Sequence, residues 1–424
     1  MSDTIFALSS GQPPAAIAIV RVSGAAAASA LGSLCGATIE PRRPQLRTLR
    51  HAGEELDRAL VLFFEGPATA TGEDVAEFHL HGGRAVMAAV LKALSELAGL
   101  RAAEPGEFTR RAFANGRIDL AEAEGLADLL AAETDGQRRA ALRLAGGALS
   151  RRVDEWTSGL LGLAAAVEAQ LDFADEDDVA EGLPAAWHDQ RARLAREVEQ
   201  LLAQPPAERL RDGVRVVIAG PPNSGKSTLL NALAGREAAI TSDLAGTTRD
   251  LIEAPVALGG VPLVLIDSAG LRDGTDPVER IGVTRAEAAI EAADLILWLG
   301  APDARPQRAG VLVLHAQADR RPNTDGADLS VSAVTREGMD ALVTRLVADA
   351  GALLPRETEV AVNARQRREL GEVAAHLQCA AGQCDLLIVA EELRRARLAL
   401  DRITGRSGVE DMLDALFGRF CIGK

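Results

Sequence analysis

The 424-residue sequence has few cysteines, no long apolar run and no excess of positive charge. Its four cysteines (Cys35, Cys379, Cys384 and Cys421) include no C-x-x-C pair, which argues against a zinc or disulfide framework and favours reduced thiols. No run of 18 apolar residues occurs, so we expect no membrane span. The opening MSDTIFALSS lacks the regions of a signal peptide, and we therefore expect a cytoplasmic protein.

The net charge of −15 excludes a global basic field of the kind that attracts nucleic acid. A polyanionic partner would need a local basic patch or the help of another protein. Hydrophobic residues make up 47% of the chain, enough for real cores in the roughly two to four domains that this length allows. The composition predicts a multidomain globular protein.

Local patterns divide the chain into four segments. Short β-like runs and turns predict an α+β domain over residues 1–118, and apolar residues three and four apart predict helices over residues 119–211. Strands and helices alternate over residues 212–346, as in a parallel α/β sheet, before helical periodicity returns over residues 347–424. We expect an α/β domain inserted into a split all-α domain, because domain termini often lie close together.

The stretch GPPNSGKST, which begins at Gly220, has the G-x-x-x-x-G-K-S spacing of a phosphate-binding loop. It lies between the apolar strand RVVIAG and an amphipathic helix, which is the context this motif requires. Gly220 and Gly225 would let backbone N–H groups face the phosphates. Lys226 would reach the β- and γ-oxygens and Ser227 would coordinate Mg²⁺. The motif predicts a nucleoside triphosphate site.

Later motifs follow in the order of a GTPase. LAGTTRD offers Thr247 and Thr248, one of which would complete the Mg²⁺ shell. In LVLIDSAG, Asp267 would hold Mg²⁺ through water and the Gly270 N–H would sense the γ-phosphate. The predicted GTP-binding residues are Asn223, Ser224, Gly225, Lys226, Ser227, Thr228, Ser242, Asp243, Leu244, Ala245, Gly246, Thr247, Thr248, Asp267, Ser268, Ala269, Gly270, Asp319, Ser332 and Ala333.

Three features depart from the usual GTPase pattern. Leu271 follows D-x-x-G where many GTPases carry a glutamine that orients water, and Glu279 is either its replacement or an ordinary exposed carboxylate. The base-reading N-K-x-D is A-Q-A-D here, so Asp319 alone remains to accept from guanine, at an expected cost of ~1–3 kcal/mol in affinity. The segment 300–311 is about 15–20 residues too short for the usual crossover helix.

The sequence resembles the MnmE (TrmE) family of tRNA-modification GTPases over essentially its whole length. The motifs that carry the resemblance include IAIVRVSG, GEDVAEFHLHGG, GEFTRRAFANGRIDL, DLAGTTRD, DSAGLRD, VERIG and CIGK. The GEFT segment and the closing C-x-G-K are the most specific of these. The resemblance implies a folate-binding and dimerising N-terminal domain, a split helical domain and an inserted P-loop (Ras-like) GTPase domain.

The resemblance also implies roles for single residues. Glu279 would position the attacking water while Lys226 binds the phosphates, and a K⁺ ion would supply the charge of an arginine finger. The implied metal ligands are Ser227 and Thr248 for Mg²⁺, and Asn223, Ser242, Leu244 and Thr247 for K⁺. The implied anchors of a tetrahydrofolate derivative, in the 5-formyl or methylene form, are Arg21, Glu77, Arg117 and Lys424, with Cys421 nearby in an open role.

The implied partners are GTP and GDP, a second copy of the chain, tRNA, and the FAD protein MnmG in a heterotetramer or larger complex. The implied function is K⁺-stimulated GTP hydrolysis coupled to formation of a 5-carboxymethylaminomethyl or aminomethyl group on wobble uridine. One alternative is a non-hydrolysing scaffold, which the A-Q-A-D loop favours and the intact Lys226 and Asp267 oppose. The other is a ribosome-assembly GTPase, which would normally carry an RNA-binding appendage that this sequence lacks.

Overall fold

The structure, a computed structural model, describes residues 3–172, 182–235, 253–267, 288–321, 325–356, 359–407, 410–418 and 420–423. It divides into two compact units, one formed by Met1–Ala127 with Asp401–Lys424 and the other by Asp128–Leu400.

The strands are β1 (Thr4–Leu8), β2 (Ile17–Ser23), β3 (Gln45–His51), β4 (Glu54–Phe64), β5 (Val75–His81), β6 (Leu100–Ala102), β7 (Val214–Ala219), β8 (Glu253–Leu258), β9 (Val261–Asp267), β10 (Leu295–Trp298), β11 (Val311–Ala316) and β12 (Leu329–Val331). The helices are α1 (Ala27–Cys35), α2 (Arg84–Ser95), α3 (Glu107–Ala114), α4 (Leu120–Ala131), α5 (Asp135–Ala145), α6 (Ala148–Asp172), α7 (Ala185–Leu202), α8 (Ala207–Arg211), α9 (Lys226–Ala234), α10 (Met339–Gly351), α11 (Ala364–Ala381), α12 (Leu386–Thr404) and α13 (Glu410–Phe417). None of the helices described is long and apolar enough to cross a membrane.

The first unit is built on a sheet with the strand order β3-β4-β5-β2-β1-β6. Neighbouring strands are antiparallel except β1 and β6, which run parallel. One face packs on α1 and α2, and Val20, Phe78 and Leu94 are fully buried in the core between them. Because side chains alternate along a strand, Arg21 and Glu77 lie on the opposite face of the sheet, directly across from each other in the β2–β5 register.

Residues near the end of the sequence complete this first unit. Phe417, Phe420 and Ala123 form a small buried cluster, and the Phe113 and Phe417 ring centroids are 6.2 Å apart. Ile422 pairs with Pro105 in an antiparallel bridge. The tail therefore belongs to the same folded unit as the first strands of the chain.

The second unit contains a helical part assembled from segments on both sides of an α/β part. Buried residues recur every three or four positions along α6, from Leu149 to Val167, as in an amphipathic helix with one face in a core. Helices α7 and α11 are joined by hydrogen bonds from Arg191 Nη1 to the Leu377 carbonyl (2.9 Å) and from Arg367 Nη2 to the Leu202 carbonyl (2.6 Å).

The α/β part has the strand order β12-β11-β10-β7-β9-β8. The predicted parallel arrangement holds for all of these strands but β8, which runs antiparallel to β9. The turn between β8 and β9 is Gly259-Gly260, with φ of 55° and 79°. Between β10 and β11 the chain makes only a short 3₁₀ turn at Pro302–Ala304, so the expected loss of a crossover helix is confirmed.

Candidate functional site

The phosphate-binding loop connects the buried strand β7 to the start of α9. Gly220 and Gly225 have φ of 151° and 94°, values that favour glycine, and Asn223 between them has φ of 59°. Gly225 is the N-cap of α9, so the first N–H groups of the helix open toward the loop. A helix start of this kind attracts phosphate through its free N–H groups and its dipole.

Lys226 lies folded over this loop. Its side chain is largely buried, and its Nζ donates to the carbonyls of Gly220 (3.2 Å) and Pro221 (2.8 Å). These carbonyls hold the ammonium group at the mouth of the loop. Phosphate oxygens are stronger acceptors for a cation than neutral carbonyls, so a bound triphosphate can compete for the same group.

A hydroxyl and a carboxylate meet beside the lysine. Ser227 Oγ donates to Asp267 Oδ2 at 2.5 Å, and Asp267 is only 1% exposed at the end of β9. Strands β7 and β9 are parallel neighbours, which brings their carboxyl ends to the same edge of the sheet. A hydroxyl and a carboxylate here fit Mg²⁺, which prefers hard oxygen ligands.

A cavity of about 100 Å³ lies next to the phosphate loop, where a nucleotide base would follow the phosphates. Its lining includes Gly225, Thr228, Gln317, Asp319, Val331 and Ala333. Asp319 Oδ1 accepts a hydrogen bond from Ser332 Oγ (2.6 Å), and this bond is the main reason that the pKa of Asp319 is lowered. The carboxylate is therefore ionised and fixed as an acceptor at the cavity.

The structure thus brings the phosphate-loop residues Asn223–Thr228 together with Asp267, Asp319, Ser332 and Ala333. The predicted site residues that lie outside the described part of the chain are Ser242, Asp243, Leu244, Ala245, Gly246, Thr247, Thr248, Ser268, Ala269, Gly270, Glu279 and Lys424.

The predicted folate anchors Arg21 and Glu77 form an ion pair on the face of the first sheet opposite α1 and α2, where the Arg21 guanidinium lies 6.0 Å from the centroid of the Phe108 ring of α3. Arg21 donates to Glu77 Oε1 from Nε (3.0 Å) and Nη2 (2.8 Å), and His79 Nε2 lies 3.2 Å from the other carboxylate oxygen. Both oxygens of Glu77 therefore already have partners within the protein. A donor-rich ligand edge would have to share these oxygens or displace a side chain.

The other folate candidates lie in the same unit, Arg117 in the connection between α3 and α4 and the rest in the tail. Arg117 Nε donates to the Thr69 carbonyl (3.1 Å). Ser9 Oγ donates to the Gly423 carbonyl (2.9 Å), and the Ser9 N–H donates to the Ile19 carbonyl (2.7 Å), so the tail lies beside the β1–β2 pair. Cys421 is exposed and its thiol is free.

A buried ion network in this unit was missed by sequence reasoning. The Arg111 side chain is only 2% exposed, and it contacts Glu73 (3.0 Å), Glu107 (3.0 Å) and Asp3 (3.1 Å). Burial alone would lower the pKa of Arg111, but hydrogen bonds to Glu107 and Glu73 outweigh burial and raise it. The available signal was the opposite charges four residues apart in GEFTRRAF, on a helix that also carries apolar residues.

Arg101 adds a second cation to the same network. It donates to both oxygens of Glu107 (2.5 and 2.8 Å) and to Asp3 Oδ2 (2.5 Å). Burial raises the pKa of Glu107, but hydrogen bonds from Arg101, the Glu104 N–H and Arg111 outweigh burial and leave the pKa lowered. The pKa of Asp3 is also lowered, chiefly by its hydrogen bond from Arg101. Both carboxylates are therefore ionised at neutral pH.

A glycine-rich loop between strand and helix, with a hydroxyl and a carboxylate beside it and an adjoining cavity, defines a P-loop nucleotide-binding domain, here inserted into a helical domain. The chain matches the family models described as the MnmE helical domain, over residues 120–421, and the GTP-binding protein TrmE N-terminus, over residues 4–117. It belongs to the MnmE (TrmE) family of GTPases. The predicted family and fold class are confirmed.

Curated relatives match the chain over its full length. It is 60% identical to the tRNA modification GTPase MnmE of Rhizorhabdus wittichii, covering 100% of this chain and 97% of that one. It is 57% identical to the protein of the same name from Erythrobacter litoralis, covering 100% of both chains. Among solved structures, the G domain of the T. maritima FeoB iron transporter aligns with 32% of this chain and 98% of its own at 25% identity, with a TM-score of 0.24 that is too low to extend the comparison.

Proposed function

We propose that the protein is a K⁺-stimulated GTP hydrolase that acts in tRNA modification. With the FAD protein MnmG it would form the 5-carboxymethylaminomethyl or aminomethyl group on the wobble uridine of certain tRNAs. The observation that carries the proposal is the convergence of Lys226, Ser227, Asp267 and Asp319 around one loop. The full-length relatives named tRNA modification GTPase MnmE support the choice of pathway.

The described residues account for binding of the nucleotide. Lys226 exchanges its carbonyl partners for β- and γ-phosphate oxygens, and the N–H groups at the start of α9 bind the same phosphates. Ser227 and Thr248 would coordinate Mg²⁺ and Asp267 would hold it through water, so that the ion would neutralise charge on the phosphates. The Asp319 carboxylate accepts from the N–H groups on the guanine edge, which adenine cannot supply in the same arrangement.

Hydrolysis itself is assigned by family resemblance. Glu279 positions the attacking water, since Leu271 cannot do so. K⁺ would be held by Asn223, Ser242, Leu244 and Thr247, and would supply positive charge at the phosphates in place of an arginine finger. Of these ligands, Asn223 lies in the described part of the chain, at the turn of the phosphate loop.

The N-terminal unit is proposed to bind a tetrahydrofolate derivative as the one-carbon source. Arg21, Arg117 and Lys424 suit the anionic tail of a folate, and Glu77 suits the donor-rich edge of the pterin. The ion pair between Arg21 and Glu77, whose side chains keep part of their surface exposed, supports this assignment, as does the tail beside β1 and β2. Cys421 is an exposed residue of this tail, and its role stays open.

The proposed assembly is a cytoplasmic homodimer that binds MnmG in a heterotetramer or larger complex. A net charge of −15 repels a polyanion over most of the surface. We therefore expect tRNA to bind mainly through the complex, and the isolated protein to bind tRNA weakly. A tight, steeply salt-dependent complex of tRNA with this chain alone would contradict that expectation.

The test is the steady-state rate of GTP hydrolysis by the full chain in KCl and in NaCl at equal ionic strength. We expect a rate that rises strongly in K⁺ and is lost in Glu279→Ala, while the control Glu291→Ala, at an exposed position of the same domain, keeps the wild-type rate. Equal rates in both salts would refute the role of K⁺. No hydrolysis in either salt would favour the scaffold alternative, which the A-Q-A-D loop supports.

A further inference from the structure

Two side chains, Gln317 of the A-Q-A-D loop and Arg321 just after it, reach across to the phosphate loop and share one acceptor. Gln317 Nε2 and Arg321 Nη2 each lie 3.3 Å from the main-chain carbonyl oxygen of Asn223. The donors are 94 and 98 residues away from Asn223 in the sequence. The base side and the phosphate side of the site are thus joined directly.

The backbone at both ends of this contact adopts a rare conformation. Asn223 and Gln317 both have φ of 59°, in the left-handed region that few residues other than glycine occupy. Such a conformation costs free energy and persists where surrounding contacts hold it. The shared hydrogen bonds to the Asn223 carbonyl are contacts of this kind, because they fix the peptide that follows Asn223.

Gln317 is also packed in place. A Cβ added to Gly225 would lie 3.2 Å from Gln317 Nε2, 3.5 Å from its Cγ and 3.8 Å from its Cδ. The side chain therefore lies along the Gly225 backbone, between the phosphate loop and the base cavity, which both residues line. Its amide is held at the loop rather than extended into solvent.

We infer that Gln317 and Arg321 are positioning residues that hold the phosphate loop ready for GTP. This inference rests on the proposed function. A chain with A-Q-A-D in place of N-K-x-D can then still bind nucleotide, because two side chains anchor its phosphate loop. These are the amide of Gln317 and the guanidinium of Arg321, which lies two residues beyond Asp319. A preformed loop loses less conformational entropy when ligand binds.

Asn223 gives the inference a second consequence. It is the proposed K⁺ ligand of the phosphate loop, and Gln317 and Arg321 fix the main chain of the same residue. Loosening this anchor should therefore weaken both the affinity for nucleotide and the response to K⁺. Loss of one solvent-accessible hydrogen bond of this kind corresponds to roughly a two- to tenfold change in an equilibrium constant.

The test uses the full chain with the variants Gln317→Leu, Arg321→Met and both together, and Arg305→Met as the matched control. Arg305 is an exposed arginine of the same domain, and its side chain forms no hydrogen bond within the part of the chain that the structure describes. The measurements are the Kd of a fluorescent GDP analogue, and the KM and kcat of GTP hydrolysis as a function of K⁺ concentration.

We expect each single variant to raise the Kd and KM by roughly two- to tenfold, and the double variant to raise them further. The K⁺ concentration for half-maximal activity should rise while kcat at saturating GTP and K⁺ stays within about twofold of wild type, because these residues position the loop without touching the reacting atoms. Arg321→Lys, which keeps a donor, should restore most of the loss.

Three outcomes would overturn the inference or its basis. A double variant with wild-type Kd and wild-type K⁺ dependence would overturn the anchoring role. An Arg321→Lys variant as impaired as Arg321→Met would overturn the hydrogen bond as its cause. A wild-type protein that binds no GDP would refute the proposed function instead, so the two failures are distinguishable.

Discussion

Arg111→Met is expected to destabilise the N-terminal unit far more than any exposed arginine would. The guanidinium is 2% exposed and contacts three carboxylates, from Asp3, Glu73 and Glu107. Removing one partner of a buried ion pair typically costs about 3–5 kcal/mol, because the remaining charge stays buried without compensation. Methionine fills similar volume but supplies no charge.

For Arg111→Met we expect a cost at the lower end of this range of about 3–5 kcal/mol. The side chains of Asp3 and Glu73 are 39% and 20% exposed, so water can screen them once Arg111 is gone. Glu107 is only 6% exposed but keeps its contact with Arg101. We therefore expect a loss of about 3 kcal/mol, which corresponds to roughly a hundredfold faster amide exchange if exchange requires the unit to open.

Hydrogen exchange of the full chain is the suitable assay, because the first unit is silent in tryptophan fluorescence. The sequence has no tyrosine, and its three tryptophans (Trp156, Trp187 and Trp298) all lie in the second unit. Peptides from β1, β2 and β5 should lose protection by roughly a hundredfold in Arg111→Met. The urea concentration at which tryptophan fluorescence reports unfolding should stay as in wild type, which would show that the second unit is intact.

Arg50→Met provides the matched control in the same unit. Its side chain is 65% exposed and pairs with Glu55 at 3.1 Å, so its loss should cost less than about 1 kcal/mol. Exchange in β1 and β5 of Arg111→Met that stays within about threefold of wild type, a change no larger than a surface ion pair would give, would refute a stabilising role for the buried network.

The stability that this ion network contributes depends on pH through the carboxylates of Asp3 and Glu107. The folded-state pKa values of Asp3 and Glu107 are lowered, so the stability they contribute is present above their unfolded pKa values and is lost as pH falls through the folded values. The difference in amide-exchange rate between wild type and Arg111→Met should therefore be largest at neutral pH and become smaller below about pH 4.

Gly423 has φ of 94°, and a Cβ there would lie 1.9 Å from the Leu8 carbonyl oxygen, so Gly423→Ala should release the tail and make it cleave faster in limited proteolysis. Normal resistance of that variant would contradict the docking described above. Asp319→Asn exchanges an acceptor for a donor and should lower GDP affinity by about tenfold or more while improving binding of xanthosine diphosphate; unchanged base preference would exclude Asp319 as the reader. Ser224 Oγ is buried without a hydrogen-bond partner among the described residues. Ser224→Ala should therefore raise stability by about 1 kcal/mol in urea unfolding followed by tryptophan fluorescence, and a clear loss would show that the hydroxyl has a partner in solution.

The phosphate loop could be predicted because its chemistry is local. Gly220, Gly225, Lys226 and Ser227 are fixed by spacing within eight residues, and the strand and helix around them have clear apolar patterns. The absence of a crossover helix in residues 300–311 could also be predicted, since so few residues between two parallel strands leave no room for a helix.

Contacts between distant residues could not be predicted in the same way. The Arg111–Asp3 pair spans 108 residues and the Arg321–Asn223 contact spans 98, and neither has a local pattern that names its partner. The antiparallel edge strand β8 was missed for another reason. Its Gly259-Gly260 turn is a hairpin signal, but the alternation of strands and helices around it favoured a parallel sheet.

The docked tail has a consequence for the order in which the chain can fold during translation. Phe417, Phe420 and Ile422 pack or pair with residues before Ala127, with residues 128–400 made between them. At about 5–20 residues per second the ribosome needs on the order of 10–60 seconds to make that intervening segment. The N-terminal unit is therefore among the last parts of the protein to finish folding, and the apolar side chains of Phe113 and Ala123 stay open to solvent, or to a chaperone, until Phe417 and Phe420 cover them.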